Sequence, residues 1–195
     1  MSPVTHFFAS WAVASFARLD RRDATLVTLA GVAPDIDGIG IVPELLTRNS
    51  SHPLDWFSRY HHLLAHNLPF AVLVTVIVLA LSRRRALTAT LAFVAVHLHF
   101  LMDVLGSRGP DGYHWPIPYL EPFSSKVQIV WSGQWALNGW QNVAITCGLL
   151  ALTVVRAVQT GRSPVEIFSP AADRKVVAVL RQRFARNKAV GTVPP

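Results

Sequence analysis

Apolar residues in this chain come in long runs, not in the alternating or 3.6-residue stripes of a water-soluble fold. Residues 60–82 contain LPFAVLVTVIVLALS, residues 86–105 read ALTATLAFVAVHLHFLMDVL, and residues 137–158 contain NVAITCGLLALTVVRAV. Each is close to the ~20 residues an α-helix needs to cross a bilayer. Two earlier apolar segments, about 3–18 and 24–34, are shorter. At ~1.5 Å per residue they reach only about 16–24 Å, so they are expected to enter the membrane without crossing it. Ser2 and Pro3 read as the N-cap and first-turn proline of the first segment.

Between residues 106 and 136 the run GSRGPDGYHWPIPYLEPFSS is too rich in Gly and Pro for a regular helix and predicts a structured cap. Trp131, Trp135 and Trp140 follow it and mark a membrane interface. Further on, Ser169-Pro170 starts a helix in which Val176, Val177, Leu180 and Phe184 share one face, with basic residues on the others. That pattern predicts a helix lying on anionic lipid. The expected organisation is a membrane-embedded domain over 1–160 and a basic amphipathic tail over 161–195. The fold class is an all-α, multi-pass membrane helical bundle: about three spanning helices, two shorter N-terminal helices and an irregular Gly/Pro-rich cap.

Composition sharpens this picture. Hydrophobic residues make up 51% of the chain and charged residues 15%, against ~25% charged in a soluble domain. The single Cys147 lies in an apolar stretch and offers neither a disulfide nor a cysteine-rich metal site. The start, MSPVTH, lacks the positive region of a cleaved signal peptide. The net charge of +7 is concentrated at Arg18, Arg21 and Arg22, at Arg83 to Arg85, and from Arg174 to Lys188. No aromatic-and-basic platform or helix-turn-helix pattern accompanies it, so nucleic acid is not the expected partner. Basic clusters beside apolar segments follow the positive-inside rule instead.

With those arginines in the cytoplasm, 60–82 runs inward, 86–105 outward and 137–158 inward. His6, the turn APDID with Asp35 and Asp37, His61, His62, His66, His99 and Asp103 then all fall at the extracytoplasmic level. Ionisable groups at membrane depth are costly and need a partner or a task. His99 and Asp103 are four apart and project from one helical face. Asp35 and Asp37 can aim two carboxylates at one centre. Imidazole with carboxylate and without thiolate suits Zn²⁺, with Mn²⁺ or Fe²⁺ as alternatives, in one or two ions. His97 lies two residues from His99, faces nearly the opposite way and reads as packing against a neighbouring helix. His52 and His114 read as loop residues, with His114, Asp111 and Glu121 in the cap within possible reach of substrate.

VTHFFAS, GVAPDID, YHHLLAHNL and HFLMDVL followed by Trp115-Pro116 together resemble the bacterial membrane-bound metal-dependent hydrolases, a family similar to zinc-dependent phospholipase C. The resemblance covers roughly residues 3–123. It implies an early histidine ligand at His6, a Pro-Asp-x-Asp motif on Pro34, Asp35 and Asp37, and an HxxxD pair on His99 and Asp103. The family's His-Arg-Gly-x-Thr-His-Ser falls on residues 61–67, which makes His61 and His66 the implied ligands. His62, Leu63, Ala65 and Asn67 stand where that pattern has Arg, Gly, Thr and Ser. In one continuous helix His62 and His66 would share a face and His61 would lie about 140° from His66. His61 and His66 are therefore expected as ligands, the helix beginning between them, with His62 as a supporting residue.

The metal set is thus His6, Asp35, Asp37, His61, His66, His99 and Asp103, and Asp37 is a ligand or the general base. The expected reaction is hydrolysis of an ester or phosphoester at the membrane surface, a phospholipid-like substrate being favoured by the resemblance. The alternative from another class is a non-enzymatic membrane protein with a structural or transported metal. A transporter would place its polar groups near the bilayer midplane, whereas these gather at one end.

Overall fold

The computed structural model describes residues 1–184. Helix α1 spans Pro3–Phe16, α2 Arg21–Val32, α3 Ile41–Thr47, α4 Trp56–Tyr60, α5 Leu68–Leu81, α6 Arg85–Gly106, α7 Trp140–Thr160 and α8 Pro170–Phe184; strands β1 (Ile117–Leu120) and β2 (Ser124–Ile129) form an antiparallel hairpin. Local chemistry sets the boundaries. Ser2 accepts from the Thr5 amide ahead of Pro3, Asp20 caps α2 through the Asp23 amide, and Asn67 caps α5 through the Phe70 amide. At its far end α7 stops at Gly161, whose φ of +76° is the left-handed conformation that closes helices.

Among the described residues, three helices are long and apolar enough to cross a membrane: the run Arg21–Thr47, α6 and α7. Two sequence expectations change. The segment 60–82 is not one spanning helix, because residues 61–67 are non-helical and Asn67 with Pro69 restarts the chain as a 14-residue α5, about 21 Å long. The segment 24–34 is not a short stub. Pro34 enters a 3-10 turn, Ala33–Gly40, at its first positions, where it costs no hydrogen bond, and helicity continues into α3. The cap is also more regular than its composition suggests, since the β1–β2 pairing from Ile117↔Ile129 to Leu120↔Ser124 lies within it.

The core is built from small residues that let backbones approach closely. Ala14, Ala24, Val27 and Ala95 join α1, α2 and α6, while Ala71, Val78, Ala92 and Val96 join α5 to α6. Gly31 marks the tightest approach: a Cβ there would collide with Ser10 of α1 and press on Ala95 of α6. By contrast α7 leaves Val143, Leu150 and Val155 exposed, an apolar face for lipid.

The contacts order the bundle end to end. At one end His6 meets Asp103, and Asn142 donates to the Gly106 carbonyl; at the other Arg156 donates to Ser15, and Asp23 accepts from Arg83, Arg84 and Thr88. The histidines and the arginine clusters therefore occupy opposite ends. In the tail, Val177 is buried, Leu180 is half-buried, and Val176 and Phe184 are exposed. Ser163 donates to Asp173, and Arg181 donates to the Val158 carbonyl, which ties α8 to the end of α7. The basic residues Arg186 and Lys188 lie outside the described residues.

Asp23 carries a testable load. Fully buried, it accepts the Arg83 and Arg84 amides and the Thr88 hydroxyl at 2.8–2.9 Å, and so caps α6 from another helix. Asp23→Ala leaves all these donors unmatched and should cost about 3 kcal/mol or more. Thermal unfolding in detergent checks this, with Asp23→Asn expected in between.

Candidate metal centre

The site forms where four segments converge: the start of α1, the 3-10 turn after α2, the non-helical residues 61–67 and the end of α6. His6 arrives on α1 because Ser2 and Pro3 start that helix one turn earlier. His99 and Asp103 share a face of α6, with His99 Nε2 3.1 Å from Asp103 Oδ2. The absence of helix over 61–67 lets His61, His62 and His66 all turn toward the site, which one continuous helix could not do. His62 adopts φ +66°, in the left-handed region. A non-glycine residue held there is costly and persists only where its surroundings require it.

Two groups of potential ligands result among the described residues: His6, Asp35 and His99, and His62, His66 and Asp103, each with ligand atoms within 4.8 Å of one another. They share a border. His66 Nε2 lies 3.1 Å from His99 Nε2 and 3.3 Å from Asp103 Oδ2. Tautomers follow from the outer partners. His99 Nδ1 donates to the Gly31 carbonyl at 2.8 Å, and His66 Nδ1 donates to Asp37 Oδ2 at 3.1 Å. Both Nε2 atoms are thereby left to present lone pairs to each other and to a carboxylate. Such outer carbonyls and carboxylates commonly orient histidine ligands.

Three electron-rich atoms packed this closely need a positive charge between them. Donor atoms sharing a tetrahedral ion with bonds of ~2.0–2.1 Å sit about 3.3 Å apart, which is the spacing found here. His6 Nδ1, Asp35 Oδ2 and His62 Nδ1 are buried with no hydrogen-bond partner among the described residues. These residues fit a divalent cation. A proton is the competing positive charge: burial opposes it, but hydrogen bonds to Asp103 and Asp37 outweigh burial and push His66 up to about 9. His62, by burial and the neighbouring His66, is held well below its ordinary value and stays neutral, as a ligand must be.

The structure divides the predicted set. His6, Asp35, His66, His99 and Asp103 join the two groups. Asp37 and His61 stand beside them. Asp37 spends Oδ1 on His61 Nδ1 (2.9 Å) and Oδ2 on His66 Nδ1 and the Ala65 amide, so both its oxygens are engaged in orienting histidines. His62, expected as support, instead points Nε2 toward Asp103 Oδ2 at 3.8 Å. The helix does not begin between His61 and His66 but after both, at Asn67. His97 packs as expected, but against Tyr119 of β1, not a helix. Asp111 and Glu121 line the outer cavity, whereas His114 is not among its lining residues.

Several supports escaped the sequence. Ser107 donates to Asp103 Oδ1 (2.8 Å), the Met1 ammonium contacts the same oxygen, and Gln134 holds the Asp103 carbonyl. Only Ser107, four residues after Asp103, had a periodic signal. A cavity of about 640 Å³ opens above the histidines, walled by Phe57, His61, His62 and Trp115 with Asp111 and Glu121 at its edge.

The sequence profile of the YdjM inner membrane protein family matches residues 1–172. The chain belongs to that family. The matched span contains every residue of the two ligand groups, the outer cavity and all three candidate spans, and it places this chain among bacterial inner membrane proteins. Neither the curated proteins nor the solved structures yield a match to this chain.

The strain at His62 can be measured. His62→Gly and His62→Ala both remove the imidazole, but only alanine keeps the left-handed penalty. The alanine variant should unfold about 1 kcal/mol more easily, as read from paired thermal melts.

Proposed function

We infer that this family member is a membrane-bound, metal-dependent hydrolase acting on an ester or phosphoester at the membrane surface, phospholipid-like substrates included. The observation that supports it is the convergence of two ligand groups directly beneath an aromatic-walled cavity open to the outside of the fold. His6, Asp35 and His99 would hold one ion, and His62, His66 and Asp103 a second or a shared one. Zn²⁺ suits these donors best, with Mn²⁺ or Fe²⁺ as alternatives; such an ion supplies Lewis acidity and lowers the pKa of water toward ~7.

The remaining chemistry belongs to the chain. His61 lines the cavity and donates Nδ1–H to Asp37 Oδ1, which leaves its Nε2 lone pair free to accept a proton from water. Asp37 fixes that tautomer and stabilises the imidazolium. This assigns proton acceptance to His61 and a positioning role to Asp37. Phe57, stacked on His61 with centroids 4.5 Å apart, and Trp115, at 5.3 Å, hold the ring and exclude bulk water from one side.

The test is metal content of the detergent-purified protein, followed by a phosphoester and phospholipid panel. About one or two equivalents of zinc or manganese, with turnover that a chelator removes, are expected. A folded protein that takes up no metal from excess zinc overturns the reading. A structural role is the second reading, favoured by the many hydrogen bonds that Asp103 already accepts; bound metal without turnover on the whole panel would select it.

We further place the site on the extracytoplasmic face, from the arginine clusters at the opposite end. In a Cys147→Ala background, Asp111→Cys should label from outside intact cells and Arg174→Cys only in inverted vesicles. Labelling of both from one side overturns this topology.

A further inference from the structure

At the end of the bundle away from the histidines, a cavity of about 420 Å³ opens between α1, the start of α2 and the C-terminal end of α7. Trp11 and Ala24 give it an apolar floor, and its wall carries Arg18, Arg156 and Arg162 against one carboxylate, Glu166. Part of this charge is used within the fold. Arg162 Nε donates to Glu166 at 2.7 Å and its Nη1 to the Leu19 carbonyl, while Arg156 Nη2 donates to the Ser15 carbonyl at 2.6 Å. The Arg156 bond closes the end of α1, and the Arg162 bond to Leu19 fixes the loop before α2. They leave a surplus among the described residues: Arg162 Nη2 is buried with no hydrogen-bond partner, and the exposed Arg18, which lines the cavity, forms no side-chain hydrogen bond. Arg18 also sits at φ +51°, just after α1, where helix endings favour glycine. A cation is kept there at a conformational cost.

A second feature adjoins the first. The Arg156 guanidinium lies over the Phe16 ring, 4.3 Å from its centroid. Phe16 in turn lines an apolar groove of about 370 Å³ that continues past Val13, Ile145 and Leu149 between α1 and α7. A cationic cavity therefore meets an apolar groove across a single stacked pair. We propose that the cavity binds a phosphate-bearing anion, the headgroup of an anionic phospholipid whose acyl chain lies in that groove. Guanidinium forks match phosphate geometry, and basic pockets between membrane helices at the headgroup level are suited to anionic lipid. This site is separate from the metal centre, so it stands or falls independently of the hydrolase reading.

The experiment uses the full chain in a neutral detergent, with phosphatidylglycerol, phosphatidylcholine and inorganic phosphate as separate probes, read by native mass spectrometry and thermal melting. Phosphatidylglycerol is expected to remain bound and raise the midpoint; phosphatidylcholine should do neither. Arg18→Gln, which breaks no hydrogen bond of the described fold, should weaken phosphatidylglycerol binding about fivefold. Arg162→Gln should weaken it about tenfold. Equal retention of the two lipids, or undiminished binding in the Arg18→Gln variant, overturns the proposal. Stabilisation by millimolar inorganic phosphate with none by phosphatidylglycerol overturns the lipid assignment in favour of a soluble anion.

Discussion

Asp103→Asn is expected to abolish tight divalent-metal binding while leaving a foldable chain. Asp103 is buried and faces His6, His62, His66 and His99 at 3.1–3.8 Å, so its charge borders both ligand groups. Asparagine keeps the shape and can still meet Ser107. It removes the negative charge nearest to both Nε2 atoms, at 3.1 and 3.3 Å, and it turns an ionised acceptor into a half-donor. Loss of a carboxylate ligand from such a centre should reduce affinity by far more than the 10–100-fold typical of an outer orienting group. Metal analysis of wild type beside Asp103→Asn, after equilibration with zinc, reads the result. A variant that retains wild-type stoichiometry would remove Asp103 from the centre. Asp37→Asn supplies the contrast, because Asp37 only orients His61 and His66 and its loss should leave metal bound at reduced affinity.

His61→Gln should act on turnover and not on metal content. His61 is bonded to Asp37, opens onto the cavity and lies outside both ligand groups. Removing a positioned proton acceptor typically costs 10²–10⁴-fold in rate. The expected outcome is therefore a fall of about that size in kcat on whichever substrate the panel identifies, with wild-type zinc and an unchanged melting point. Metal lost together with activity would instead make His61 a ligand, the role that the family resemblance implies for it.

What sequence and structure each contribute is clearest at residues 60–68. The three histidines were legible there, since ionisable residues beside a long apolar run stand out against a costly background. Which imidazole reaches the centre was not. Helical periodicity paired His62 with His66, motif alignment paired His61 with His66, and neither includes the left-handed turn at His62 that turns the two rings to different tasks. Asn67 and Pro69 are the local signal that starts α5 at Leu68 and leaves residues 61–67 outside it. Likewise the second apolar segment ends near residue 34, yet a proline in the first turn of a 3-10 stretch loses no hydrogen bond, and the run continues to Thr47.

Hydropathy runs, arginine clusters and single helix caps are local properties, written in consecutive residues, and they sufficed for a helical bundle with polar chemistry at one end and cations at the other. The division of labour among His61, His62 and Asp37 was decided only when α1, the turn after α2 and α6 closed around residues 61–67. So were the Gly31 carbonyl that sets the His99 tautomer and the pairing of Arg156 with Phe16. Those contacts join residues 24 to 140 positions apart, and no pattern along the chain records separations that depend on how closely small residues let the helices approach.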